Sequence, residues 1–185
     1  MNNSIKVTIP KEILAMNLID TTKPIYIYES TNYYKYLFLS NKKKDRRCFA
    51  VITLNQTGSF ELPQNIFKVI FESDLLNYVF VVLRKKIYIY RPSFSIDADR
   101  SIAIPSNILL MSKLDLNKPI YLYENDYGTG YLRNTSSSDR CYGKVEIDCE
   151  NMIVLTSNML AGLEIRSCSS IAPYARGKYI YFRTS

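Results

Sequence analysis

The chain has 185 residues, 47% of them hydrophobic, and a formal net charge of +7 with neither histidine nor tryptophan. That composition is ample for packed cores and a basic surface, and it excludes catalysis built on a histidine base or relay. Cys48, Cys141, Cys149 and Cys168 show no CxxC spacing, so neither a metal site nor any cofactor is expected.

The longest apolar run, Tyr78–Leu83, spans six residues, against the roughly 20 of a membrane helix. The opening MNNSIKVTIP lacks the basic segment and apolar core of a secretory leader. A cytoplasmic protein without membrane contact or structural disulfides is therefore the expectation.

In chain order, Lys6-Val7-Thr8-Ile9 alternates with period two and predicts a half-buried strand over 4–9. Pro10 ends it and suits the first turn of a helix, predicted over 10–18. Asp20-Thr-Thr breaks the helix, and Pro24 opens a strand over 24–29 carrying Ile25-Tyr26-Ile27-Tyr28. Further strands are predicted over 34–40, 47–54, 58–62, 76–83 and 86–91, with a helix over 63–72.

This order is then repeated. IPKEILAMNLIDTTKPIYIYE (9–29) matches IPSNILLMSKLDLNKPIYLYE (104–124) without a gap and with 12 identities. RCFAVITL (47–54) aligns with RCYGKVEI (140–147), and KIYIYR (86–91) with YIYFR (179–183). Within each copy a strand, a proline, a short helix and a second strand occur twice. The four instances begin at KVTIP, SFELP, SIAIP and MIVLT, the last with Thr156 in place of proline. A mainly β protein with short helices is implied, organised as a first domain over 1–92, a linker over 93–99 and a second domain over 100–185. Each copy is expected to close its own small β-barrel from two such units.

GSFELPQNIF (58–67) and KVTIPKEIL (6–14) resemble the swapped-hairpin unit of the AbrB, SpoVT, MazE and MraZ family. The resemblance implies two tandem pseudo-symmetric barrels, AbrB-like or double-psi-like, and binding to duplex DNA. In that family arginines before the strand–Pro step and in the following helix contact DNA. The matching positions here are Lys6, Ser59, Ser101 and Met152, then Leu14/Ala15, Phe67/Lys68 and Leu109/Leu110. Only Lys6 and Lys68 keep a positive charge, with Arg100 one residue out of place.

Charge is unevenly shared. Residues 1–95 hold 14 Lys/Arg against 7 Asp/Glu, and residues 96–185 hold 10 against 10. The excess concentrates in NKKKDRR (41–47) and Arg84-Lys85-Lys86, both absent from the second copy, which has NTSSSDR (134–140) and PYARGK (173–178) instead. The fold therefore does not require them. Lys6, Lys42, Lys43, Lys44, Arg46, Arg47, Lys68, Arg84, Lys85 and Lys86 are the candidate phosphate-contacting residues.

The 16 tyrosines, in strings such as NYYKY and YIYF, suit strands whose rings pack inward; a base-stacking face for single strands is the weaker alternative. No GxxxxGK[ST] or GxGxxG occurs, and the acid pairs Asp97/Asp99 and Asp148/Glu150 read as solvated loop acids. The expected function is non-catalytic binding of duplex DNA, as a transcriptional regulator or mobile-element accessory factor, by a monomer or homodimer. The alternative is a protein–protein assembly subunit, joined through the second barrel or a sheet edge, that has lost DNA binding.

Overall fold

The computed structural model describes residues 4–31, 36–71, 78–93 and 98–185. The first copy runs β1 (Ser4–Thr8), α1 (Lys11–Leu14), β2 (Ile25–Glu29), β3 (Leu37–Ser40), β4 (Cys48–Ile52), β5 (Ser59–Pro63), α2 (Gln64–Phe71), β6 (Val79–Leu83) and β7 (Lys86–Tyr90). The second runs β8 (Arg100–Ala103), α3 (Ser106–Met111), β9 (Ile120–Glu124), β10 (Gly130–Arg133), β11 (Arg140–Val145), β12 (Met152–Leu155), α4 (Ser157–Gly162), β13 (Ile171–Arg176) and β14 (Tyr179–Thr184). The linker anticipated over 93–99 falls mostly outside the described residues.

The protein is mainly β with four short helices, in the order the repeat anticipates. Pro10 and Pro105 do stand at strand–helix corners, with φ −56° and −53°. In the fourth unit Thr156 supplies a true cap, its side chain accepting from the Met159 N–H. Helix α1 is shorter than its apolar pattern suggests. Asn17 adopts φ +52° and its N–H donates to the Leu14 carbonyl, which ends the helix early.

The expected pair of closed barrels is not what the described residues form. Ten strands make one sheet in the order β13-β14-β10-β9-β11-β6-β7-β3-β2-β4, and β1–β5 and β12–β8 form separate two-stranded ladders. Closing the first copy would require the outer edges of β4 and β6 to meet. Instead β6 pairs antiparallel with β11 of the second copy, and β4 lies at the end of the sheet.

Strand alternation explains how this sheet is buried. Ile25 and Ile27, Leu37 and Leu39, Ile87 and Ile89 point into one core with Val7, Ile9, Ile13, Leu62 and Phe67 from the β1–β5 ladder and its helices. Tyr28, Phe38 and Tyr88 point to the opposite face. In the second copy the same alternation is reversed in space. Ile120, Leu122 and Ile180 join Ile102, Ile153, Met159 and Leu160 of the β12–β8 ladder in the core that holds Tyr28 and Phe38. Tyr123 and Tyr131 join the first copy's aliphatic core. Each half of the sheet thus has an aliphatic face under its own strand–helix units and an aromatic face, and the two halves are flipped relative to one another.

The seam between copies has a single laddered residue pair, Cys141 with Val82. Beyond it the strands part at a bulge in β11, where Gly143 has φ +123°. A Cβ there would lie 2.6–2.9 Å from Glu12 of α1, so glycine is required for the helix to seat. From α4, the Asn158 amide takes the place of a neighbouring strand, its Oδ1 accepting from the Phe80 N–H at 2.7 Å and its Nδ2 donating to the Phe80 carbonyl at 3.0 Å. The Thr156 hydroxyl donates to the Glu12 carboxylate, tying α1 to the start of α4. Loss of water raises the Glu12 carboxyl above its ordinary 4.5; the Thr156 bond offsets this in part, and nearby Asp99 adds to it.

A second device appears identically in both copies. Asn41 Oδ1 accepts from the Asp20 N–H at 2.7 Å, while its Nδ2 donates to the carbonyls of Asp20 and Pro24. Asn134 does the same for Asp115, Lys118 and Pro119. The turn it holds carries the repeated D-x-x-K-P, in which Asp pairs with Lys in both copies, and Asp20 is held down to about 2 by Lys23 and Thr22.

Asn41→Ala or Asn134→Ala leaves partly buried backbone groups unpaired and should cost about 1–3 kcal/mol in a denaturant titration. Glu12→Gln keeps the bond from Thr156 and removes the buried charge. Because the native carboxyl binds its proton more tightly than the unfolded one, wild-type stability falls as pH rises from about 4.5. The variant should therefore melt higher than wild type at pH 7, with the difference vanishing near pH 4.

Candidate nucleic-acid interface

The loop joining β3 to β4 holds five of the ten candidate cations, and it is anchored rather than free. Its Lys44 N–H donates to the Tyr28 hydroxyl at 2.8 Å, Lys42 N–H meets Ser40 Oγ, and Arg46 donates to the Glu29 carbonyl at 3.3 Å. The loop consequently folds back over the aromatic face of its own half of the sheet.

Phe38 is the centre of what it covers. The ring stacks on Tyr28 at 5.3 Å and lies 6.0 Å from Tyr88. Lys44 Nζ and Arg46 Cζ sit over it at 5.5 and 5.1 Å, and Lys86 Nζ, from β7, at 5.9 Å. Two segments separated by about 40 residues in the sequence thus converge on one buried ring, each cation contributing roughly 0.5–1 kcal/mol there. Lys42, Lys43, Arg84 and Lys85 are exposed beside them, and Arg47 turns to Phe49 at 5.2 Å. None of these eight cations forms an ion pair among the described residues.

The β6–β7 hairpin that presents Arg84 and Lys85 is strained. Both residues have positive φ, 47° and 61°, the backbone of a two-residue turn that Asn-Gly fits and a long L side chain does not. The corresponding β13–β14 turn uses Gly177 at φ 61°.

Lys6 and Lys68 do not belong to this surface. Lys6 lies on the outer side of the β1–β5 ladder opposite Glu61, and Lys68 is on α2, both over the other face of the sheet. The family-type positions and the basic loops are therefore separated by the sheet.

The second copy shows what the same frame does without the basic loop. Tyr131 stands where Phe38 does, and Asp139 where Arg46 does; the Tyr131 hydroxyl donates to Asp139 at 2.6 Å. Its aromatic ladder, Tyr123, Tyr131, Tyr181 and Tyr174, is flanked by Arg133, which lies over Tyr123 and Tyr179, and by Arg183, over Tyr174. Phe38 itself escapes sequence reasoning. The available signal was its place: the first copy has phenylalanine where the second has tyrosine, facing the loop in which Arg46 stands at the position of Asp139.

Between the copies, Leu83 and Arg84 border a cleft of about 440 Å³ with Glu124, Asn125, Asp126, Asp139 and Arg140. The Arg140–Glu124 pair at 3.5 Å and the buried Tyr142 hydroxyl, which donates to Glu124 at 2.6 Å, close its floor. Among the described residues no cluster suited to a metal ion occurs, and no helix is long and apolar enough to cross a membrane. All four cysteines are free thiols; Cys149 and Cys168 are exposed, and burial pushes the Cys141 thiol up to about 12.

No family model matches the chain, and no curated protein or solved structure is significantly similar to it.

Replacing Arg84-Lys85 by Asn-Gly should relieve the turn and raise stability by about 1–2 kcal/mol in chemical denaturation. If those side chains serve binding rather than folding, the same variant should bind a polyanion more weakly.

Proposed function

We propose that the chain binds the phosphate backbone of duplex DNA, without catalysis, through the cation cluster on the aromatic face of its first copy. The observation that carries this reading is the convergence of Lys44, Arg46 and Lys86 on Phe38, with Lys42, Lys43, Arg47, Arg84 and Lys85 around them. Cations held at short range with no carboxylate partner among the described residues are the arrangement that counterion release rewards. Bases stacking on the rings under the cluster are disfavoured, because Tyr28, Phe38 and Tyr88 are at most 5% exposed and lie beneath the cations. Contact with phosphates rather than bases makes the binding weakly dependent on sequence.

Descent from an AbrB-type ancestor is part of the proposal. It is supported by the four strand–helix corners and by the antiparallel pairing of their leading strands, β1 with β5 and β8 with β12. The grip on DNA differs from that family's, since Lys6 and Lys68 lie across the sheet from the cluster. A role in transcription or on a mobile element fits such a binder.

Titrating a labelled duplex at several salt concentrations should give log K falling with log salt at a slope of about −4 to −7. Lys42→Glu/Lys43→Glu, at exposed positions, should weaken binding and flatten the slope by about 2. No binding at roughly 50 mM salt, or binding unaffected by the double variant, would refute the proposal.

A further inference from the structure

The seam between the two copies is heterologous: β11 of the second copy meets β6 of the first. By the repeat, β11 corresponds to β4 and β6 to β13, and these are the two strands left at the ends of the ten-stranded sheet. Among the described residues neither has a further strand partner. Each end of the molecule thus carries the unmatched half of a joint that the molecule already makes once internally. A head-to-tail contact of this kind can be used again by the next copy.

The side chains at the ends fit the same geometry. Internally, α1 lies over β11, with Met16 Sδ 4.0 Å from Cys141 Sγ. The counterpart of α1 is α3, which packs beside β13, and its Leu110 and Met111 are 85% and 66% exposed. The counterpart of β11 is β4, where Val51 is 59% exposed on the same face as Tyr26. Three of the six large hydrophobic residues found exposed therefore lie at the two sites that a repeat of the seam would press together. On the other side of that seam, exposed Asn65 of α2 takes the place of Asn158.

We propose that a second copy of this chain docks head-to-tail, β4 of one molecule alongside β13 of the next, with α3 laid over β4. Two differences make this contact weaker than the internal one and so reversible. Phe80, whose N–H is bonded to Asn158, is replaced by Pro173, which has no N–H to offer Asn65. The ladder pair itself, Val82 with Cys141, becomes Ala175 with Cys48 and is unaffected by the proline. Gly143, on which α1 seats closely, is replaced by Ala50, whose Cβ holds α3 further off.

The test is sedimentation velocity of the full chain across a concentration series. Wild type should show mass rising beyond a monomer with concentration. Val51→Asp disables one end, its short charged side chain unable to reach clear of the joint as Lys144 does at the equivalent internal position, and Met111→Lys the other, at exposed positions whose folding is checked by circular dichroism. Each variant alone should stay monomeric, while an equimolar mixture should form a dimer and stop there, because one intact end of each kind remains. Pro173→Val should tighten association up to about tenfold by restoring one hydrogen-bond donor. Wild type that stays monomeric at every concentration, variants that assemble as wild type does, or a mixture that forms no dimer would overturn the proposal. DNA binding by the monomer is independent of all these outcomes.

Discussion

A sheet covered on both sides must satisfy two different environments with one alternating strand, and this constraint governs the whole molecule. Strands such as Ile25-Tyr26-Ile27-Tyr28 meet it by dividing labour: branched aliphatic residues face the copy's own ladder and helices, and tyrosines face the opposite side. Antiparallel pairing of β6 with β11 then reverses strand direction from one copy to the next, which also turns the sheet over. Each side of the sheet consequently holds one aliphatic half and one aromatic half. The tyrosines need no ligand to explain them. They are the side of the strand that faces away from the copy's own ladder and helices.

The seam shows how little main-chain pairing is needed when packing does the rest. Beyond Cys141 and Val82 the two copies are held by Glu12, Thr156 and Asn158 reaching from the helices, and by Tyr142, whose hydroxyl lies 3.4 Å from that of Tyr90. Every residue of β6 is buried, as expected for a strand with neighbours on both edges. Its counterpart β13 reads Ile171-Ala-Pro-Tyr-Ala-Arg176, with a proline and an arginine that suit an edge.

That contrast marks where the sequence was legible and where it was not. The four strand–helix units, their order and the strand positions follow from local rules of alternation and proline placement, and they hold to within a few residues. Barrel closure does not follow from such rules. A strand buried on both faces has the same pattern whether its sheet curls back on itself or continues into a second copy. The difference between VFVVL and IAPYAR was available as a clue to which copy's edge lies inside. The cation cluster was legible as charge but not as geometry, because the turn of the loop over Phe38 depends on the Tyr28 hydroxyl and Glu29 carbonyl meeting Lys44 and Arg46. Only coordinates show Lys6 and Lys68 behind the sheet.

The two proposed activities use neighbouring parts of the surface. The basic cluster lies over the aromatic face of the first copy, and joint-forming Val51 lies on the same face at the sheet's end. Charge also links them. Arg47 stands near one end and Arg176 and Arg183 near the other, and bringing like charges together opposes docking. Added salt screens that repulsion while it weakens phosphate contacts, so the two activities respond to salt in opposite directions. A bound polyanion would neutralise the same charges locally and hold neighbouring chains close, which raises their effective concentration. On the proposed reading, self-association that is weak in free solution would be strengthened on the nucleic acid.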